Sequence, residues 1–178
     1  MTDTLMARVF IENALFRFRA MKDLGEKAID ELSDEELVKS PDTQSNSVAV
    51  ICQHLHGNML SRWTDFLTTD GEKPCRDRDG EFKEPQSLSR SELMKGWEEG
   101  WNCLFTALET LAPEDLLKTV TIRGQGLTVM DAILRQISHY GYHTGQLVYV
   151  AKLIKGAAWQ PLSIPPGMSK EYKPQKRD

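Results

Sequence analysis

All four histidines of the chain fall on two segments with helical periodicity, His54 and His56 on one and His139 and His143 on the other. His139 and His143 are four residues apart, so on a helix their imidazoles lie one above the other on one face and can share a metal ion. A third imidazole from a helix packed opposite leaves one coordination position free. That is the usual arrangement of a catalytic zinc site, and it also suits Ni²⁺ or Fe²⁺. His54 and His56 lie on opposite flanks of their helix's apolar stripe, so periodicity does not choose between them. The competing reading is of hydrogen-bonded core histidines, the commoner fate of a lone His on a half-buried face.

The neighbouring residue types narrow the chemistry. Tyr140 occupies the place where H-E-x-x-H metalloproteases carry their general base. The residues three before the histidines are Ile51, Gln53, Gln136 and Tyr140, so the Glu-x-x-His motif of di-iron bundles is absent. What remains is a mononuclear, histidine-rich site without a built-in carboxylate base. Because imidazole binds a metal only when neutral, occupancy is expected to fall as pH drops through ~6.5. Asn58, four beyond His54, shares its flank and is a candidate to line the same pocket. Gln146 is placed to orient a ligand or a metal-bound water, and Tyr142 and Tyr140 to donate to a substrate, with packing as the alternative for all three. The acidic run around Asp77 and Asp79 does not make a calcium loop, since arginines interrupt it and no Glu stands twelfth from Asp77. It reads as a solvated loop able to fold over the metal end.

Four amphipathic segments must position these groups. The first spans about 5–32, with Val9, Ala14, Phe16, Met21, Leu24, Ala28 and Leu32 as its apolar face, and Ser33 can cap a short further turn. The second starts at Asn46 or Ser47 as N-cap and runs to about residue 69 with Val48, Ile51, Leu55, Met59, Arg62 and Phe66 in one stripe. Residues 70–88 form a long connection of a kind that is often functional. Ser89 followed by Glu92 is a capping box opening the third helix, which carries Leu93, Trp97, Trp101, Leu104, Phe105 and Leu108 and stops at Ala112-Pro113. Thr119 to Ile122 alternates, and Gly124-Gln125-Gly126 offers a tight turn, so a short hairpin is expected before the last helix. That helix is capped by Thr128 and ended by Gly156. The pattern predicts an all-α, four-helix bundle with long crossover connections over residues 1–160 and an irregular tail at 161–178 whose last residues fray.

Composition agrees with this class. Of 178 residues, 40% are hydrophobic, enough for a real core, and the net charge of −4 gives no overall footprint for nucleic acid. Cys52, Cys75 and Cys103 are widely spaced without a C-x-x-C pair, which suits a reducing cytoplasm. No signal-peptide core or bilayer-length apolar run is present, so an unprocessed chain without a membrane span is expected.

The order of a histidine on the second helix, a hairpin-like excursion, and then His139-Tyr140-Gly141-Tyr142-His143-Thr144-Gly145-Gln146 resembles the DinB-like superfamily. That superfamily also includes YfiT-type proteins and bacillithiol and mycothiol transferases. The stretches from Asn46 to Ile51, Gln53-His54-Leu55, Gly57 to Leu67 and Thr69 to Pro74 resemble a bacterial subfamily of unknown function within it. The resemblance implies a divalent ion, often Zn²⁺ or Ni²⁺, held at one end of the bundle by His54, His139 and His143, with His56 outside the pattern. It also implies a homodimer through bundle helices and, in some relatives, transfer of a low-molecular-weight thiol to an electrophilic small molecule. The alternative is a non-catalytic, dimeric metal-binding or stress-response bundle.

Overall fold

The computed structural model describes residues 2–85 and 87–172. Four long helices form the bundle: α1 (Thr2–Asp30), α3 (Val48–Trp63), α4 (Arg90–Glu109) and α5 (Val129–Lys155), with a one-turn α2 (Asp34–Leu37) after α1. A two-stranded antiparallel hairpin, β1 (Thr119–Ile122) and β2 (Gln125–Thr128), precedes α5, so the chain is an all-α bundle with one small sheet. No helix is long and apolar enough to cross a membrane among the described residues.

The helix starts follow from side-chain caps that accept otherwise unpaired amides. Ser33 and Ser89 each form a capping box, with Glu36 and Glu92 respectively, while Ser47 accepts from the Val50 amide and Thr128 from that of Asp131. Gly156, at positive φ, closes α5. Helix α3 is shorter than its apolar stripe predicts and stops at Trp63 instead of residue 69. Asp65 takes a positive φ, which Asp tolerates, and its carbonyl then accepts from the amides and hydroxyls of Thr68 and Thr69. The hairpin is where alternation places it, but its turn is Arg123-Gly124, both at positive φ, with Ile122 opposite Gln125. This is the primed two-residue geometry that matches strand twist.

Helix α3 packs mainly on α4, and α1 mainly on α5. The α1 face differs from the predicted stripe: Ile11, Leu15 and Phe18 enter the core beside Ala14, Ala28 and Ile29, while Val9 and Phe16 are exposed. Close helix contact uses glycine at two points. A Cβ on Gly25 would lie 2.7 Å from the Trp97 ring, and one on Gly100 would lie 3.3 Å from the His56 backbone. At the centre, Phe18, Trp101 and Tyr140 form an aromatic cluster with centroids 5.8–6.4 Å apart.

Tyr140 lies one residue after His139 yet is fully buried, so it belongs to the core and not to a substrate pocket. Its hydroxyl accepts from Trp63 Nε1 at 3.0 Å and donates to Asn58 Oδ1 at 3.0 Å. Tyr140→Phe would strand both partners away from water. An unsatisfied buried group costs about 1–3 kcal/mol. We expect a loss of about 2 kcal/mol, read as a melting-temperature drop of about 4–8 °C by calorimetry. An unchanged melting temperature would show that the hydroxyl is not part of the packing.

Candidate metal centre

Position 54 sits mid-way along α3, and positions 139 and 143 lie one turn apart on α5, which packs against α3. The structure brings these three imidazoles together: one ligand atom from each of His54, His139 and His143 lies within 4.8 Å of the others. His54 Nε2 and His139 Nε2 are 3.4 Å apart. Two imidazole nitrogens bound at ~2.0–2.1 Å to one tetrahedral ion stand about 3.4 Å apart, so the spacing fits a shared divalent cation. His139 Nδ1 and His143 Nδ1 are buried without a hydrogen-bond partner, so both rings carry unspent bonding capacity. His56 is turned elsewhere, its Nε2 meeting Glu99 at 3.0 Å. The choice between His54 and His56, open to periodicity, is thus made by packing.

Behind His54 stands Glu81, which the sequence reading missed. Its Oε2 accepts from His54 Nδ1 at 2.9 Å, which makes Nδ1 the protonated nitrogen and leaves Nε2 with its lone pair facing the other two rings. Arg76 holds the same carboxylate through two bonds, Nε to Oε1 at 2.7 Å and a terminal nitrogen to Oε2 at 2.8 Å. The side chains of Arg76 and Glu81 are only 4% and 8% exposed, so this part of the 70–88 connection is not the solvated loop its charge suggests. Gly57, one turn beyond His54, makes the approach possible: a Cβ there would lie 2.8 Å from Glu81 Cδ and closer still to Oε1. A glycine inside α3, three residues from a candidate ligand, was the signal available in the sequence.

The connection is pinned at its start by Asp70. Its carboxylate accepts from the amides of Glu72, Arg123 and Gly124 at 2.7–2.9 Å, and these bonds hold its pKa well below the usual carboxylate range. Gly71 N donates to Thr121 O, while Ser61 and Arg62 both donate to Gly71 O. Arg62, placed by periodicity in the apolar stripe, is indeed buried, and it reaches the Glu72 carboxylate at 3.0 Å. Hairpin, connection and α3 are therefore tied into one support for Glu81.

The other candidates fall as follows. Asn58 lines the cavity beside the histidines while accepting from Tyr140. Tyr142 also lines it, largely exposed, with its ring edge-on to His143 at 4.9 Å. Gln146 donates to the Tyr142 hydroxyl at 2.9 Å, while its Oε1 is buried and unpaired. All three cysteines are free and none lines this cavity.

Burial first, then the positive fields of His143, His54, Arg62 and Arg76, push the His139 pKa down to about 3. Burial and then His54 push that of His143 down to about 4. Protons therefore compete for these two rings well below the ~6.5 of a free imidazole, which moves the expected acid release of a bound metal to lower pH. In the metal-free protein the unfolded chain takes up protons first. The stability tied to these two neutral rings is fully present above pH ~6.5 and is lost as pH falls through about 4 for His143 and about 3 for His139. We expect the metal-free melting temperature to fall over that window, and to fall less steeply in His139→Gln/His143→Gln. Parallel pH profiles for the two proteins would count against this assignment. A second expectation concerns Glu81→Gln, which keeps the shape but removes the anion behind His54. It should weaken divalent-metal affinity about 10–100-fold, measured by competition with a chromogenic chelator.

Among curated proteins nothing matches the chain. A family model described as "Protein of unknown function (DUF1572)" matches residues 5–168, and the chain belongs to that family.

Proposed function

We propose that this chain is a mononuclear, divalent-metal-dependent enzyme in which His54, His139 and His143 hold the ion, zinc or nickel, and which transfers a low-molecular-weight thiol to an electrophilic small molecule. The observation that carries this reading is the convergence of three imidazoles beside a cavity of about 340 Å³, with no fourth His, Cys, Asp or Glu in the cluster among the described residues. A closed structural site would use four protein ligands; three with adjoining space favours catalysis. Resemblance to the DinB-like superfamily supports the same ligand set.

When bound, the ion would acidify a thiol or water at the free position, so a nucleophile can form at neutral pH. The chain's own part is positional. Glu81 holds His54 in the tautomer that offers Nε2, and Arg76 holds Glu81. Tyr142, steadied by Gln146, offers a hydroxyl at the cavity wall for orienting a substrate. Because no cysteine lines the cavity, the sulfur in this scheme comes from the substrate thiol. Burial of Cys52 raises its pKa far above the range of a reactive thiolate, in keeping with that assignment.

The reading includes a homodimer through bundle helices, supported by exposed Leu5, Met6 and Val9 on α1 and Leu134 and Leu153 on α5. It also includes a cytoplasmic setting, supported by three free cysteines. Purified without a histidine tag, the protein should carry about one divalent ion per chain by elemental analysis. His143→Ala should lose both the ion and any activity found in a screen of thiols against alkylating electrophiles. Full metal retention in His139→Ala/His143→Ala would refute the proposal.

A further inference from the structure

The cavity beside the histidines has an unusual wall for a protein of net charge −4: five arginines among the described residues line it, Arg62, Arg76, Arg78, Arg123 and Arg135, and no carboxylate does. Two carboxylates stand behind the wall. Glu81 is taken by Arg76 and His54, and Glu72 is shared by Arg62, Arg76 and Arg123. Five guanidiniums thus face two carboxylates. Arg78 and Arg135 are left without an ion pair among the described residues, Arg78 lying over the Phe82 ring at 5.4 Å. Arg135 projects from α5 one turn before His139, whereas Arg78 belongs to the 70–88 connection, so two separate elements bring the unpaired charges to one cavity.

Two unpaired polar atoms mark the same cavity as a ligand site. Gln136 lines this cavity, is 3% exposed, and its Oε1 is buried with no partner. A buried amide is normally hydrogen-bonded, so an unpaired Oε1 on a cavity wall marks a contact left for a donor on the ligand, such as a hydroxyl or amide beside its anionic groups. The Nε of Arg62, also buried, is likewise unpaired. The volume of about 340 Å³ is that of a small-molecule site.

We infer that the substrate bound here is a small anion carrying more than one carboxylate or phosphate group, seated on Arg78 and Arg135 with Arg123 beside them. This deepens the metal-enzyme reading of the same site by naming its substrate class. Guanidinium pairs bind carboxylate and phosphate through paired, charge-assisted bonds, and the excess of positive charge would reject cationic molecules while drawing anions toward the histidines. A neutral analogue of the same shape gains none of this.

The test is calorimetric titration of succinate, inorganic phosphate and the neutral diamide succinamide into the protein, first stripped of metal with a chelator and then loaded with zinc. Succinate or phosphate should bind the metal-free protein, whichever is tighter reporting the preferred group, and succinamide at least tenfold more weakly. Binding should weaken tenfold or more in Arg78→Gln/Arg135→Gln, whose exposed positions leave the fold intact, and should weaken as salt is raised. His143→Ala should keep anion binding in the metal-free state. Equal binding of succinamide, no anion binding at all, or loss in His143→Ala with retention in the arginine variant would overturn the inference. Because the first titration contains no metal, a failure of metal binding would sink the catalytic reading alone.

Discussion

Behind His54 a carboxylate is held away from water between an imidazole and a guanidinium, and the rest of the site depends on that arrangement. A buried Glu is costly unless its charge is met, and Glu81 is met twice by Arg76 and once by His54. The opposing effects of burial and partners resolve in favour of the partners, which keep the Glu81 pKa below its ordinary value. Desolvation is the largest single influence and acts the other way, so the result rests on the Arg76 guanidinium and the His54 N–H acting together. The imidazole gains a fixed tautomer and a fixed ring plane, and the α5 histidines meet a lone pair already aimed at them.

That support is assembled from distant parts of the chain. His54 is on α3, Glu81 on the connection after it, and His139 and His143 on α5, while the Asp70 carboxylate binds the connection to the hairpin turn. The two-stranded hairpin, which sends Val120 into the core, thereby acts as an anchor for the histidine site. The same framework brings Arg62, Arg76 and Arg123 to one wall, so the positive cavity and the histidine cluster share a single scaffold.

How far the sequence disclosed this depends on the kind of interaction. Helices were legible because burial imposes a 3.6-residue period, and their starts because Ser33, Ser47, Ser89 and Thr128 each meet an orphan amide. Exact faces and ends were less so. Val9 and Phe16 are apolar yet exposed, and the stripe of α3 runs on through Phe66 although its helix stops at Trp63, because an apolar residue in the turn still reaches the core. The pairing of His139 with His143 was visible as spacing, while the choice of His54 over His56 needed the resemblance and then the packing. Glu81 had no periodic signature, since it is recruited from a loop 27 positions away by a bond that only the folded chain makes. Arg62 in an apolar stripe was the sequence's one direct hint of a buried charge network.

Gly57 carries a consequence for how the chain can diverge. Because any β-carbon there would occupy the space of the Glu81 carboxyl group, the two positions are not free to drift separately. A descendant acquiring alanine or serine at 57 would have to shorten or relocate its acid, and one that had lost the acid would be released from keeping glycine in mid-helix, where glycine is otherwise disfavoured. Paired change at these two sites would therefore trace which lineages retain the histidine-orienting anion and which have abandoned it.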